Sequence, residues 1–345
     1  MSLKMKKYLT QYQKYHIDGF KKITNQKMVT EENKGLTRTL EGHDAMFLSR
    51  TEYLVGCERT FTQFIENKDI ETQIILYTKL FPNPYTLGLY EAFEKQEMSH
   101  LLNVLYQTSR HSAINLGGGA SGYDHCINFF GVINAFAAND TTLVNALLPK
   151  GLGESKNGHK FMVLGTNLMF SIWHKDVALL EKTKLVAVRY LSGKRTLLEK
   201  AILDYLIALA EIDTDAISVN LKNVCLATRK NQGESKLSKL FCRNAHGLYH
   251  FAHFVLPDEI FKKIELPNDE GFIEEYAQWN MENDFPQGTL FLNYPDEMAL
   301  MNVILNVDVP DTSLNSSPNG PRNTLYTDVD EFKKGLIQRI LCMRG

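Results

Sequence analysis

Cys242, His246, His250 and His253 have the side chains and the spacing of a metal site. Their offsets of 4, 4 and 3 place them on one stripe of a helix. Two histidines one turn apart can hold one cation, as in helices that carry His-Glu-x-x-His. Here the segment reads His246-Gly247-Leu248-Tyr249-His250, so the glutamate base is missing and a second helix would have to supply a carboxylate. The apolar residues Phe241, Ala245, Leu248, Ala252 and Val255 predict a core face that points elsewhere, which takes the histidines out of the core. Two readings follow. The favoured one is a polar inter-helix hydrogen-bond stripe. The other is a metal-dependent enzyme built on His246, His250 and His253.

A second cluster lies in an acidic segment. Residues 257–297 hold eleven Asp or Glu against two Lys. Glu270, Glu274, Glu275, Glu282 and Asp284 interleave with Tyr276 and Trp279. Acids speed and select encounters with a basic protein, and aromatics anchor it. These seven residues are the predicted partner-binding set; the competing reading is a solvated amphipathic helix that keeps its own aromatics in the core. Nothing in the spacing of Glu274 and Glu275 fixes the geometry an acid/base pair needs.

The remaining chemistry-bearing stretches are weaker. Gly117-Gly118-Gly119-Ala120-Ser121-Gly122 precedes a helix, and free N–H groups at a helix start can hold phosphate. It has no Lys-Ser or Lys-Thr for a phosphate loop and no strand before it, so it reads as a linker. Ser121, Asp124 and His125 have the residue types of a catalytic triad, but a triad is a spatial arrangement that sequence neighbours rarely make. No catalytic residue and no cofactor are predicted. The first 28 residues carry seven lysines and one acid, interleaved with tyrosines. This pattern suits an anionic surface, but it also suits the outer face of a soluble helix, which is the reading preferred.

The elements that must position these residues are helical. Only three of the ten prolines, Pro82, Pro84 and Pro149, precede residue 257, so long helices can run up to there. Tyr8, Tyr12, His16, Phe20 and Ile23 mark one helix face. Further helices are predicted over 44–65, 69–81, 86–108 and 235–256. Between them a pattern recurs: Asp140, Asp176 and Asp213 are 36 and 37 residues apart. A small residue sits five before each (Ala135, Ser171, Ala208) and an apolar pair follows (Leu143–Val144, Leu179–Leu180, Ala216–Ile217). The grammar is a helical hairpin: one helix ends, an aspartate caps the next, and the small residue lets the two approach. A period of ~34–40 is that of helical solenoids. Residues 307–327, rich in Pro, Asn and Ser, read as an extended loop, with a short strand predicted near Thr289–Leu292. Thr327 or Asp328 then caps a last helix with Phe332, Leu336, Ile337 and Ile340 inward.

The expected fold is therefore all-α, with helical hairpins in repeat-like, solenoid- or tetratricopeptide-like packing and an irregular C-terminal region. Three regions are predicted: 1–114, 115–256 and 257–345, with one continuous domain as the alternative. The chain has 345 residues, a net charge of -2 and 44% hydrophobic residues, which excludes a disordered chain and a general nucleic-acid binder. No apolar run approaches the ~18–20 residues of a membrane helix. The start lacks a secretory signal, and the five cysteines have no Cys-x-x-Cys spacing, so free thiols in the cytoplasm are expected.

The segments Asn134–Asp140, Phe170–Asp176 and Ala208–Asp213, with the Leu221–Lys230 helix and His246-Gly247-Leu248, resemble the immunity protein 49 family of bacterial polymorphic-toxin systems. The resemblance covers about residues 125–260. It implies an all-helical, non-enzymatic protein that binds and neutralises a toxin, and it transfers no catalytic residue. The alternatives are the metal-dependent enzyme above and a helical-repeat scaffold for another peptide or protein.

Overall fold

The structure, a computed structural model, describes residues 1–30, 49–115, 122–316 and 324–344. Among these it is an all-α fold. Sixteen α-helices are accompanied by one two-stranded hairpin. In the first third, α1 (Leu3–Thr30), α2 (Arg50–Phe64), α3 (Ile70–Leu80), α4 (Tyr85–Lys95) and α5 (Met98–Ile114) gather around buried aromatics. On α1, Tyr8 meets Phe93 edge-on at 4.9 Å and Tyr12 stacks on Tyr90 at 4.7 Å, as the tyrosine spacing predicts. The 86–108 helix is two helices. Gln96 adopts a left-handed conformation (φ 60°) that ends α4, and α5 then runs on to Ile114.

Six helices of the middle third come in hairpins: α6 (Phe129–Ala137) with α7 (Thr141–Leu147), α8 (Lys160–His174) with α9 (Val177–Leu191), and α10 (Leu197–Glu211) with α11 (Thr214–Lys230). All three corners have the same hydrogen bonds. A left-handed residue (Asn139, Lys175 or Ile212) ends each first helix. The N–H of the next aspartate returns to the carbonyl five residues back: Asp140 to Ala135, Asp176 to Ser171 and Asp213 to Ala208, at 2.9–3.0 Å. The aspartate side chain then accepts the N–H of Leu143, Leu179 or Ala216 and opens the second helix. The recurring small residue is thus the acceptor of a helix-ending bond. An open solenoid keeps its first and last units apart. Here α12 (Arg243–Val255) lies against both α6 and α11. Gly247 makes this approach, because a Cβ there would stand 2.1 Å from the Ile133 carbonyl oxygen.

Of the predicted 235–256 helix, only Arg243–Val255 is α-helical. The chain continues through α13 (Asp258–Phe261), α14 (Glu274–Glu282) and α15 (Ala299–Asn306). Residues 289–292 form no strand. Instead β1 (Leu314–Ser316) pairs antiparallel with β2 (Leu325–Thr327) inside the stretch predicted as loop. The Asp328 side chain caps α16 (Val329–Arg344) by accepting the Glu331 N–H, and Phe332, Leu336 and Ile340 are buried as expected. The region after 256 packs into the rest. Gln107 on α5 binds the Phe291 and Leu292 backbone, and Tyr53 on α2 shares a 2.7 Å hydrogen bond with Tyr294. A single core cluster runs from Met5 to Ile340.

Candidate functional site

The histidine stripe and the acidic aromatic segment meet in one place. Helix α12 is central and buried on every side from Ala245 to Ala252. A helix buried all round has no polar face, so the expectation that the histidines leave the core is corrected: His246 and His250 are fully buried. The His246 ring lies between Phe272 (4.1 Å) and Phe241 (5.0 Å), nearly parallel to both. Its Nε2 accepts the Ile273 N–H at 3.1 Å, which leaves the proton on Nδ1. His253, half-buried, stacks on Phe285 at 3.7 Å.

His250 begins a buried polar chain. Its Nδ1 faces two acceptors, Asn139 Oδ1 at 2.8 Å and the Phe136 carbonyl at 3.2 Å, so Nδ1–H donates. Asn139 donates in turn to Asn280 Oδ1 (2.7 Å) and the Pro286 carbonyl. The Asn280 amide donates to the Tyr276 carbonyl, and the Tyr276 hydroxyl donates to the Ala137 carbonyl at 2.8 Å. Asn139 is the left-handed residue of the first hairpin corner, so the chain ties that corner to α12 and α14.

Both imidazoles are held neutral. Burial pushes His250 down to about 3 and His246 well below the ordinary histidine range. The Lys4 ammonium pushes His246 in the same direction, as does His250 wherever it takes up a proton. A neutral imidazole can ligate a metal. The groups around these two are aromatic rings and amides, and among the described residues no three His, Cys, Asp or Glu side chains converge.

The acidic set divides. Tyr276 is fully buried and is withdrawn from any partner surface. Glu274 pairs with Lys4 at 2.9 Å, and the Lys4 ammonium also donates to the Phe272 carbonyl. Glu270 pairs with Lys7 at 2.7 Å. Asp269, buried in the same loop, takes Arg229 at 2.6 Å. The lysine-rich first helix thus neutralises part of the acidic segment inside the molecule. Glu275 and Trp279 are half-buried, while Glu282 and Asp284 remain exposed.

Two features escape sequence reading. The first is the buried Arg110–Asp140 pair at 2.7 Å. Arg110 also donates to the Leu305 and Val307 carbonyls, and Asp140 accepts from Thr142 and Gln287. The one aspartate therefore caps α7 and holds the arginine that fixes the end of α15. The second is α9, which exposes Val177, Leu185 and Val188 at 68%, 72% and 57%. Their spacing of eight and three puts them on one face; a strongly apolar helix raises no suspicion in sequence, because one face is expected to be buried.

Of the triad-like residues, Ser121 lies outside the described residues, as do Gly117–Ala120 of the glycine-rich stretch. Asp124 folds its own loop: it accepts the Ser155 hydroxyl (2.6 Å) and the N–H groups of Cys126, Lys156 and Asn157. All five cysteines are free thiols, and no described helix is long and apolar enough to cross a membrane. Compared with protein-family models, with curated proteins and with solved structures, the chain matches none.

Proposed function

We propose that this is a non-enzymatic protein-binding protein. The outer face of α9 carries the reading. Val177, Leu185 and Val188 are large, apolar and more than half exposed, on the first, third and fourth turns of one face. Leu197 and Ile212, at the two ends of the neighbouring α10, are also more than half exposed. Single exposed apolar residues are ordinary, whereas several on one helix layer mark a contact surface.

Its concrete form is an immunity protein that neutralises a bacterial toxin in the cytoplasm. The family resemblance supplies this form. The exposed acids Glu282 and Asp284, with the half-buried Glu275 and Trp279, suit a basic toxin domain and would speed its capture. Glu270 and Glu274 already have lysine partners and contribute less.

Co-expression with a toxin domain encoded beside the gene tests the proposal. Rescue of growth and co-purification are expected. Leu185→Asp and Val188→Asp should abolish co-purification without loss of fold. If no neighbouring toxin binds or is neutralised, the toxin form is wrong. If the α9 variants bind a partner as well as the parent does, α9 is not the surface. A helical scaffold for another peptide is the second reading, and the same exposed α9 face favours it. Binding of a short linear peptide in place of a folded domain would distinguish the two.

A further inference from the structure

Helix α9 buries Leu179, Thr183 and Ala187, and it packs on α8 and α10. Its outer side has a second periodicity. Ala178, Leu185 and Ser192 are seven residues apart, as are Glu181 and Val188, and all five are exposed. Alternating steps of three and four are the a and d positions of a helix that takes another helix along its length. The positions beside such a seam choose the partner. Lys182 and Arg189, exposed and seven apart, form one flank, and half-buried Lys184 lies on the other.

The charges here are unbalanced. Residues 175–200 hold seven Lys or Arg against three Asp or Glu. All three acids are engaged within the fold. Asp176 caps α9, Glu181 pairs with Lys184 at 3.2 Å, and Glu199 closes a capping box with Thr196 at the start of α10. Glu154 takes Lys182 at 2.7 Å. Arg189 and Lys194 are exposed, and among the described residues neither has a carboxylate within ion-pair distance. A second copy of the chain is the wrong occupant. Antiparallel apposition about Leu185 sets Lys182 of one copy beside Arg189 of the other, and parallel apposition sets Lys184 beside Arg189; like charges at these positions repel. An anionic lipid surface fits poorly too, because Glu181 stands in the middle of the seam and the seam has no aromatic residue.

We propose that the α9 seam docks an amphipathic helix of a partner protein, one whose apolar stripe is edged with Asp or Glu. The inference rests on α9 as the contact surface of the proposed function and adds the chemistry of what lies on it. Two heptads of the incoming helix, about 21 Å at ~1.5 Å per residue, cover the length from Ala178 to Ser192. Leu185 and Val188 supply the apolar contact. Acids along the edge of the incoming helix meet Arg189, and Lys194 in the turn beyond adds to the same positive field. A toxin of basic overall charge would carry these acids locally, on the docking helix.

The test adds a fluorescein-labelled synthetic peptide to the full chain and follows anisotropy. The peptide has about three heptads, with Leu at a and d and Glu at e and g, which also keeps it from pairing with itself. A second peptide has Lys in place of Glu. The acidic peptide should bind at least about tenfold more tightly than the basic one, and its affinity should fall as salt is raised. Arg189→Glu combined with Lys194→Glu should weaken the acidic peptide about tenfold and strengthen the basic one, a swap that loss of fold does not mimic. Equal binding of the two peptides, or binding of neither, would overturn the proposal. So would a dimer of the unmodified chain that Leu185→Asp dissolves in sedimentation, since the seam would then belong to a second copy. Leu185→Asp also separates this inference from the reading beneath it. If the peptides bind the parent equally and that variant releases both, α9 stands as the contact surface and only the acidic partner falls. If the variant binds the acidic peptide as well as the parent does, the surface itself is wrong.

Discussion

Acidification should unfold this protein well above the carboxylate range, through its buried imidazoles. The sign follows from the direction of the shifts. A histidine held neutral in the fold lets the unfolded chain bind more protons, so stability falls as pH drops below the unfolded value of 6.5. Each such group costs about 1.4 kcal/mol per pH unit until its folded value is reached. For His250, which titrates at about 3, the loss continues through the whole interval from 6.5 to 3. His111, fully buried and pushed down to about 4 by burial, behaves alike over its shorter interval. At about pH 5 the two together remove about 4 kcal/mol, and His246 adds in the same direction. That is a large part of the ~5–15 kcal/mol typical of a domain. Urea unfolding followed by circular dichroism, in steps from about pH 7.5 to about pH 5, measures it. The midpoint should fall steeply below about pH 6.5. His250→Gln can keep a donor to Asn139 but cannot titrate, so its slope should be shallower by about 1.4 kcal/mol per pH unit. A midpoint that stays flat to about pH 5, or a variant with the parent's slope, would refute the argument.

Other outcomes follow from the packing. Gly247→Ala would put a methyl against the Ile133 carbonyl and should cost about 3 kcal/mol or more, read as a lower urea midpoint. Arg110→Met leaves Asp140 in the core without its cation; a loss of about 3–5 kcal/mol is expected, and restoring only one partner of a double variant should not recover it. Ile212→Gly removes a β-branched residue from a left-handed corner and should raise stability by about 1 kcal/mol, seen as a higher melting temperature. Leu185→Asp should change stability by less than about 0.5 kcal/mol, since that side chain is mostly in solvent.

Local grammar was legible in the sequence, and long-range placement was not. The three aspartate corners and the Asp328 cap could be read because a cap is a bond between residues three apart. The break after α4 could not: no glycine or proline marks it, and Gln96 takes a left-handed conformation that its type does not announce. The histidine stripe was misread because periodicity shows a face only when one side of a helix meets water, and α12 has no such side. Tyr276 looked like a partner-facing aromatic among acids. It turns inward because α12 and the Ala137 carbonyl await it 139 residues away in the chain. The separate basic and acidic stretches were visible as composition, but only the fold shows that Lys4 and Lys7 meet Glu274 and Glu270.

That last meeting has a consequence for biosynthesis. Helix α1 leaves the ribosome before the other helices described, yet its Lys4 finds Phe272 and Glu274 across 268 and 270 residues of chain. At ~5–20 residues per second, α1 waits roughly 15–50 s for that part of its seat. During this interval Tyr8 and Tyr12 can lie against α4, but the lysines have no acidic loop to hold. Closure of the molecule is therefore a late event of translation. A nascent chain halted before about residue 270 should keep a protease-sensitive first helix, while one halted after α14 should protect it.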